Sequence, residues 1–97
     1  MRVIAKKILR DFWKKHQDSE HQLKTWYKEA SMANWQTPNE IRQEYARASI
    51  IGDNRVVFNI CGNRYRLVVK INYKRKYAYI RFIGTHNEYD KINAEII

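Results

Sequence analysis

The chain has few of the residues that usually interrupt or cross-link small proteins: one cysteine, one proline and three glycines among 97 residues. The single cysteine, Cys61, excludes a disulfide within the chain and a zinc site built from paired thiolates. No apolar run approaches the roughly 18 residues that a membrane span requires, and the first residues lack the apolar stretch of a signal peptide. We therefore expect a cytoplasmic protein with no membrane contact, no metal and no cofactor.

Positive charge is what the chain has in excess. It contains 19 Lys and Arg against 10 Asp and Glu, which gives a formal net charge of +9. Such a balance favours nucleic acid, a membrane surface or an acidic protein as partner. Hydrophobic residues make up 44% of the sequence, which is typical of a folded chain. Its length predicts one domain over residues 1–97.

The first half has the periodicity of helices. Apolar residues at helical spacing predict an amphipathic helix over residues 5–16, after a short strand within residues 1–4. A second helix is expected to begin near Ser19, whose hydroxyl would cap it while Gln22 reaches back. The order Thr37-Pro38-Asn39-Glu40 predicts a third, short helix that Thr37 caps.

The second half changes to a period of two, which indicates strands. We expect strands over residues 49–51, 55–60, 64–73 and 77–83, with Gly62-Asn63 as a hairpin turn because both residues accept positive φ. Gly84 is expected to end the last strand, and Thr85 to cap a brief helix through Ile92. The predicted fold class is α+β, with N-terminal helices packed on one face of an antiparallel β-sheet and a short C-terminal helix.

Between residues 55 and 87 the chain carries no carboxylate but eight cations: Arg55, Arg64, Arg66, Lys70, Lys74, Arg75, Lys76 and Arg81. If the apolar strand residues face the helices, the opposite face presents Arg55, Asn59, Arg64, Arg66, Lys70 and Asn72. One interpretation is an ordinary solvated sheet face. The interpretation we favour is a polyanion-binding face, because like charges on neighbouring strands destabilise a sheet.

The residues around this face also permit proton transfer. Arg66 has a planar guanidinium that can bind two phosphate oxygens. His86 could act as base or acid, and Asp90, one helical turn later, could orient the ring or take the proton itself. Tyr89 could stack on a base or donate from its hydroxyl. Each also has a structural interpretation: His86 as a cap, Asp90 as a favourable charge in an early helix turn, Tyr89 as a core residue. Spacing alone does not choose between them.

Three stretches of the sequence together resemble a known family. They are Val56-Val57-Phe58-Asn59-Ile60 with the Gly62-Asn63 turn, Tyr65-Arg66-Leu67-Val68-Val69, and the run from Tyr79 through Gly84-Thr85-His86-Asn87-Glu88-Tyr89-Asp90 to Ile92. This arrangement is similar to the HigB toxins of bacterial type II toxin–antitoxin systems, which belong to the RelE-like superfamily. The N-terminal strand, the Trp-rich helices and the Thr-Pro helix start also fit.

The resemblance implies a metal-independent endonuclease that cuts messenger RNA in the ribosomal decoding site. It also implies a helix-turn-helix antitoxin of the HigA type as partner, with operator DNA bound only through the antitoxin complex. By position, Arg66 matches the strand arginine that contacts the scissile phosphate, and His86, Tyr89 and Asp90 match the C-terminal catalytic segment. The division of acid and base roles stays open. We expect the other polar strand and turn residues of the basic face to bind RNA: Asn59, Arg64, Lys70, Lys74 and Arg81.

The leading hypothesis is thus a ribosome-dependent RNase toxin that inhibits translation and growth. The alternative is a noncatalytic RNA- or ribosome-binding module that uses the same basic face. The two differ in one expectation: loss of His86 or Asp90 abolishes cleavage by a nuclease and leaves a binding module unchanged. A third possibility, a subunit whose charge serves an acidic protein, predicts ribosome affinity that is insensitive to salt.

Overall fold

The computed structural model describes residues 1–97 and contains five strands and four α-helices. In chain order they are β1 Arg2–Ile4, α1 Lys6–Lys15, a 3-10 turn at Gln17–Ser19, α2 Glu20–Met32, α3 Pro38–Glu44, β2 Ser49–Ile51, β3 Arg55–Ile60, β4 Tyr65–Asn72, β5 Tyr77–Thr85 and α4 His86–Tyr89. The α+β class is confirmed, and the arrangement is consistent with the RelE-like fold that the resemblance implies. No helix is long and apolar enough to cross a membrane.

The strands form one sheet in the order β1-β5-β4-β3-β2. Strands β2 to β5 make the predicted antiparallel meander, while β1 lies parallel to β5 at one edge. At the other edge β2 is much shorter than β3, and it pairs only with Arg55–Val57. The outer edge of β3 from Phe58 to Ile60 therefore has no strand beside it.

The main core lies between this sheet and helices α1 and α2. The strand residues predicted to face the helices do so: Val56, Phe58, Ile60, Tyr65, Leu67, Val69 and Ile71 are all buried there. The helices contribute Leu9, Trp13, Leu23, Trp26 and Ala30 to the same cluster. Burying each large apolar side chain stabilises the fold by about 1.5–3 kcal/mol, so this layer is the main source of stability.

The opposite sheet face differs from the prediction. Its centre is apolar, because Val57 and Val68 form a second cluster with Ala94, against which Phe82 and Tyr89 pack. The chain after β5 turns back and covers the middle of this face. The expectation of a continuous basic face across three strands was therefore wrong, and the polar residues are divided between its two ends.

Two of the three predicted helix starts form as expected. The Thr37 hydroxyl accepts from the Glu40 N–H at 3.4 Å, and Thr85 with Glu88 forms a complete capping box at α4. The helix predicted to begin near Ser19 does begin there, at Glu20, but its predicted cap is absent: the Ser19 hydroxyl donates to the His16 carbonyl at 2.7 Å and accepts from no helix N–H. The side chain of Gln22 instead accepts from the Cys61 N–H at 2.7 Å.

The hairpin turn predicted at Gly62-Asn63 forms, with the Arg64 N–H donating to the Cys61 carbonyl at 3.2 Å, but two details of the turn and the strand end differ from expectation. Positive φ in the β3–β4 turn occurs at Cys61 and Gly62, and not at Asn63. Gly84 does not end β5, which continues to Thr85. A Cβ atom at Gly84 would lie 2.5 Å from Cζ of Phe82, so the glycine accommodates a close approach inside the strand.

Candidate functional site

Arg66 lies at the centre of one end of the sheet, on the face away from α1 and α2. Its register partners are Asn59 on β3 and Gly84 on β5. The guanidinium Nη1 donates to the Asn63 carbonyl at 2.9 Å and to the Tyr65 carbonyl at 3.4 Å. These bonds hold the guanidinium next to the β3–β4 turn, while Nε and Nη2 have no protein partner. Two donors in a fixed plane are thus available to a phosphate.

Helix α4 begins beside this arginine because β5 ends there. Thr85 is the register partner of Tyr65, and the His86 N–H donates to the Arg64 carbonyl at 3.0 Å. The Glu88 carboxylate accepts from the Thr85 N–H at 2.8 Å, and this bond is the main reason that the pKa of Glu88 is lowered. The first turn of α4 is therefore tied to both β4 and β5.

His86 and Asp90 form a pair on the exposed side of α4. Nε2 of His86 lies 3.4 Å from Oδ2 of Asp90, and both side chains are more than half exposed. A carboxylate at this distance can fix the orientation of the imidazole ring. The predicted proton-transfer residues are thus adjacent to one another, at the end of the sheet that carries Arg66.

Tyr89 has a different environment from its neighbours on α4. It is half-buried and packs in the second cluster, with its ring centroid 6.4 Å from that of Phe82. Its ring therefore attaches α4 to the sheet face. The residue is only partly exposed.

Arg64 has a protein partner that the sequence did not reveal. Its Nη1 lies 2.6 Å from Oδ2 of Asp18, and Oδ1 of Asp18 accepts from the Tyr65 hydroxyl at 2.6 Å. These two hydrogen bonds lower the pKa of Asp18. Asp18 comes from the 3-10 turn between α1 and α2, and no local pattern links it to a strand 46 residues later. The charge of Arg64 is thus partly neutralised.

Three predicted RNA-binding residues, Lys70, Lys74 and Arg81, lie away from Arg66 at the other end of the face. They line a shallow cavity of about 510 Å³ together with Asn54, Ile71, Asn72, Tyr73 and Tyr79. Arg81 is directed there by an irregularity in the β4–β5 pairing at Val68/Val69. Lys70 lies 3.9 Å from the Asp53 carboxylate. Buried Val68 separates this cavity from Arg66. The candidate site therefore has two basic groups, one around Arg66 and one made of Lys70, Lys74 and Arg81.

Arg55 is not available to a ligand, contrary to the prediction that it belongs to the open face. Its residue is only 4% exposed. Nε donates to the Ile97 main-chain oxygen at 2.8 Å, as does Nη2, and Nη1 donates to the Asp53 carboxylate at 2.7 Å. Its role is to hold the C-terminal segment, residues 90–97, against the sheet.

The chain is thus an α+β protein in which Arg66 and the predicted proton-transfer pair, His86 and Asp90, lie at the same end of the sheet. Comparison with known families places it further: the model of the HigB toxin, described as a RelE-like toxic component of a toxin–antitoxin system, matches residues 19–92. The chain belongs to the HigB toxin family.

Individual relatives match nearly the whole chain. The mRNA interferase toxin HigB of Escherichia coli (strain K12) is 26% identical over 96 residues, which are 97% of this chain and 92% of the relative. The mRNA interferase HigB of Shigella flexneri gives the same values. That of Escherichia coli O6:H1 (strain CFT073) is 24% identical over 94 residues, 95% of this chain and 91% of the relative.

Proposed function

We propose that this chain is an mRNA interferase, a metal-independent endoribonuclease that cuts messenger RNA on the ribosome and so inhibits translation and growth. The observation that carries the proposal is the position of Arg66, with two unpartnered donors, at the same end of the sheet as the His86–Asp90 pair. The relatives named as mRNA interferases support it, since they match nearly the full length of the chain.

The chemistry begins with attack of a ribose 2′-hydroxyl on the adjacent phosphorus. A new P–O bond forms, the bond to the 5′-oxygen breaks, and the products are a 2′,3′-cyclic phosphate and a 5′-hydroxyl. Arg66 stabilises the negative charge that grows on the phosphate oxygens. His86 and Asp90 take the proton from the 2′-hydroxyl and return one to the departing oxygen, and Tyr89 offers a ring edge and a hydroxyl beside them. No step requires a metal or a cofactor.

The two basic groups hold different phosphates. Arg66 and Lys70 are four residues apart on β4, and at about 3.3 Å per residue their backbones are separated by roughly 13 Å. Asn59 and Arg64 accompany Arg66 at the reacting phosphate, while Lys70, Lys74 and Arg81 bind the RNA backbone farther along the strand. The RNA then crosses the covered middle of the face between the two groups.

The remaining elements of the proposal concern partners and place of action. The whole chain, residues 1–97, acts as one toxin domain in the cytoplasm, in the decoding site of translating ribosomes. A helix-turn-helix antitoxin of the HigA type inhibits it, and operator DNA is bound only by the complex of the two proteins. Membership of a toxin–antitoxin family supports the existence of such a partner.

The test is to express the wild type, His86→Ala and Arg75→Ala in bacteria and map RNA ends. Arg75 is an exposed turn cation outside both basic groups, so it controls for loss of a charge. Cuts are expected only in a translated message, and not in the same message without its start codon. His86→Ala should reduce them at least about a hundredfold, with ribosome binding retained.

Two results would contradict the proposal. Growth arrest without new RNA ends indicates the noncatalytic ribosome-binding module. Cleavage by His86→Ala at the wild-type rate places the chemistry elsewhere in the chain.

A further inference from the structure

A groove at the outer edge of β3 shares only Asn59 with the residues that we assign to RNA binding and cleavage. It has a volume of about 310 Å³ and lies between α2, the outer edge of β3 and the segment 45–48 that leads into β2. Its apolar lining comes from Trp26, Phe58, Ile60 and Ala48. Exposed residues of α2, among them Thr25, form one rim.

The main chain of Asn59 presents two unpaired groups to this groove. The Asn54 carbonyl accepts from the Ile71 N–H at 2.8 Å, and in the β3–β4 register this fixes residues 56, 58 and 60 as those bonded to β4. The N–H and C=O of Asn59 therefore point the other way, past the end of β2. No main-chain hydrogen bond joins Asn59 to the segment 45–48. The next main-chain N–H directed to this side, that of Cys61, donates to the side-chain oxygen of Gln22.

Trp26, which lines the groove, also carries a donor without a partner. The indole N–H of Trp26 is buried and has no hydrogen bond. Unpaired buried donors are costly and uncommon in folded proteins, and an apolar strand edge without charge or proline to protect it is normally covered. The free strand edge at Asn59 indicates that the groove is completed by another chain.

We propose that the antitoxin partner docks here, by adding an extended segment to the outer edge of β3 at Asn59. Only an extended main chain supplies a carbonyl and an N–H at the spacing that a strand edge requires. An apolar side chain of that segment fills the space above Trp26 and Phe58. The proposal rests on membership of a toxin–antitoxin family and is independent of the RNA chemistry.

Charge selects the antitoxin over a second copy of the chain. A second copy also carries a net charge of +9 and is repelled. At the rim of the groove Glu29 is already bonded to the Tyr45 hydroxyl. Arg47 is exposed and forms no ion pair. An acidic residue in the docking segment would pair with Arg47.

The test measures binding of the purified antitoxin to Thr25→Trp and to Met32→Trp. Both positions are exposed on α2, but only Thr25 lines the groove, while Met32 is 77% exposed outside it. Thr25→Trp should weaken binding by about tenfold or more, and Met32→Trp by less than about twofold. Both variants should cleave RNA as the wild type does, so the binding assay tests antitoxin docking independently of the nuclease proposal.

Amide hydrogen exchange on the unmodified chain gives a second, independent result. Free, the Asn59 amide should exchange fast while its neighbours Phe58 and Ile60 exchange slowly; with antitoxin bound, it should become protected. Equal antitoxin affinity for both variants, or an unprotected Asn59 amide in the complex, overturns the proposal. A concentration-dependent dimer of the toxin alone that Thr25→Trp disrupts assigns the groove to a second copy, which also overturns it.

Discussion

Replacement of Gly84 by alanine tests how the site is assembled, because one added methyl group meets two parts of it. The new Cβ would lie 2.5 Å from Cζ and 3.0 Å from Cε2 of Phe82, and 3.1 Å from Oε1 of Glu88. Phe82 belongs to the second cluster under the C-terminal segment. Glu88 completes the capping box of α4. Either the ring or the carboxylate has to move.

The expected cost follows from these two contacts. Overpacking of this kind destabilises by about 1–3 kcal/mol, and loss of the α4 cap adds about 1 kcal/mol if the carboxylate is displaced. A domain of this size is stable by roughly 5–15 kcal/mol, so Gly84→Ala should remain folded. Each kcal/mol lowers the melting temperature by about 4–8 °C. Cleavage at equal folded fraction should also fall, since α4 carries His86 and Asp90.

The assay is urea unfolding of the wild type, Gly84→Ala and a matched control, Gly52→Ala. A Cβ at Gly52 meets only Glu95, at 3.6 and 3.8 Å, which is ordinary contact. Its effect should stay within about 0.5 kcal/mol. Phe82→Leu removes the ring atoms that the methyl group meets, so the double variant should lose less stability than the two single variants added together. Equal effects at both glycines, or no coupling with Phe82→Leu, would refute the reasoning.

Two further predictions concern residues that hold distant parts of the chain together. The hydrogen bonds to Asp18 lower the pKa of its carboxyl group in the folded state. The ionised carboxylate therefore stabilises the fold above its unfolded pKa of about 3.9, and this contribution disappears as the pH falls through the pKa of the folded state. Asp18→Asn should therefore be less stable at pH 7 and lose less on acidification; parallel stability curves from pH 7 to 2 would contradict this. Arg55→Ala removes the hydrogen bonds to Ile97, so the free energy of unfolding should fall by about 1–3 kcal/mol and trypsin should cleave faster within residues 90–97. Digestion at the same rate as in Arg75→Ala would show that Arg55 does not hold this segment.

The parts of the fold that the sequence predicted are those with a local cause. The two periodicities placed the helices and strands, and Thr37 and Thr85 marked helix starts because a cap acts on residues two or three positions away. The same local reasoning predicted a brief helix that Thr85 caps, while its position next to Arg66 comes from the β4–β5 register.

The parts that the sequence did not reveal depend on partners far along the chain. Asp18 neutralises Arg64 across 46 residues, and the Ile97 main chain engages Arg55 across 42. Nothing in the alternation of β3 and β4 distinguishes a cation that faces solvent from one that a distant segment covers. Val57 and Val68 did carry a signal: they are apolar at positions that alternation assigns to the polar face, which indicates that something packs there.

The short length of α4 explains how its residues divide between structure and chemistry. Four residues cannot form a stable helix alone, so the capping box, the His86 N–H bonded to Arg64 and the ring of Tyr89 against Phe82 must hold it in place. These attachments use the main chain, Glu88 and Tyr89. The side chains of His86 and Asp90 take no part in them and remain more than half exposed. The helix is therefore fixed by one set of groups and presents another set to solvent, which lets exposed side chains keep a defined position without being buried.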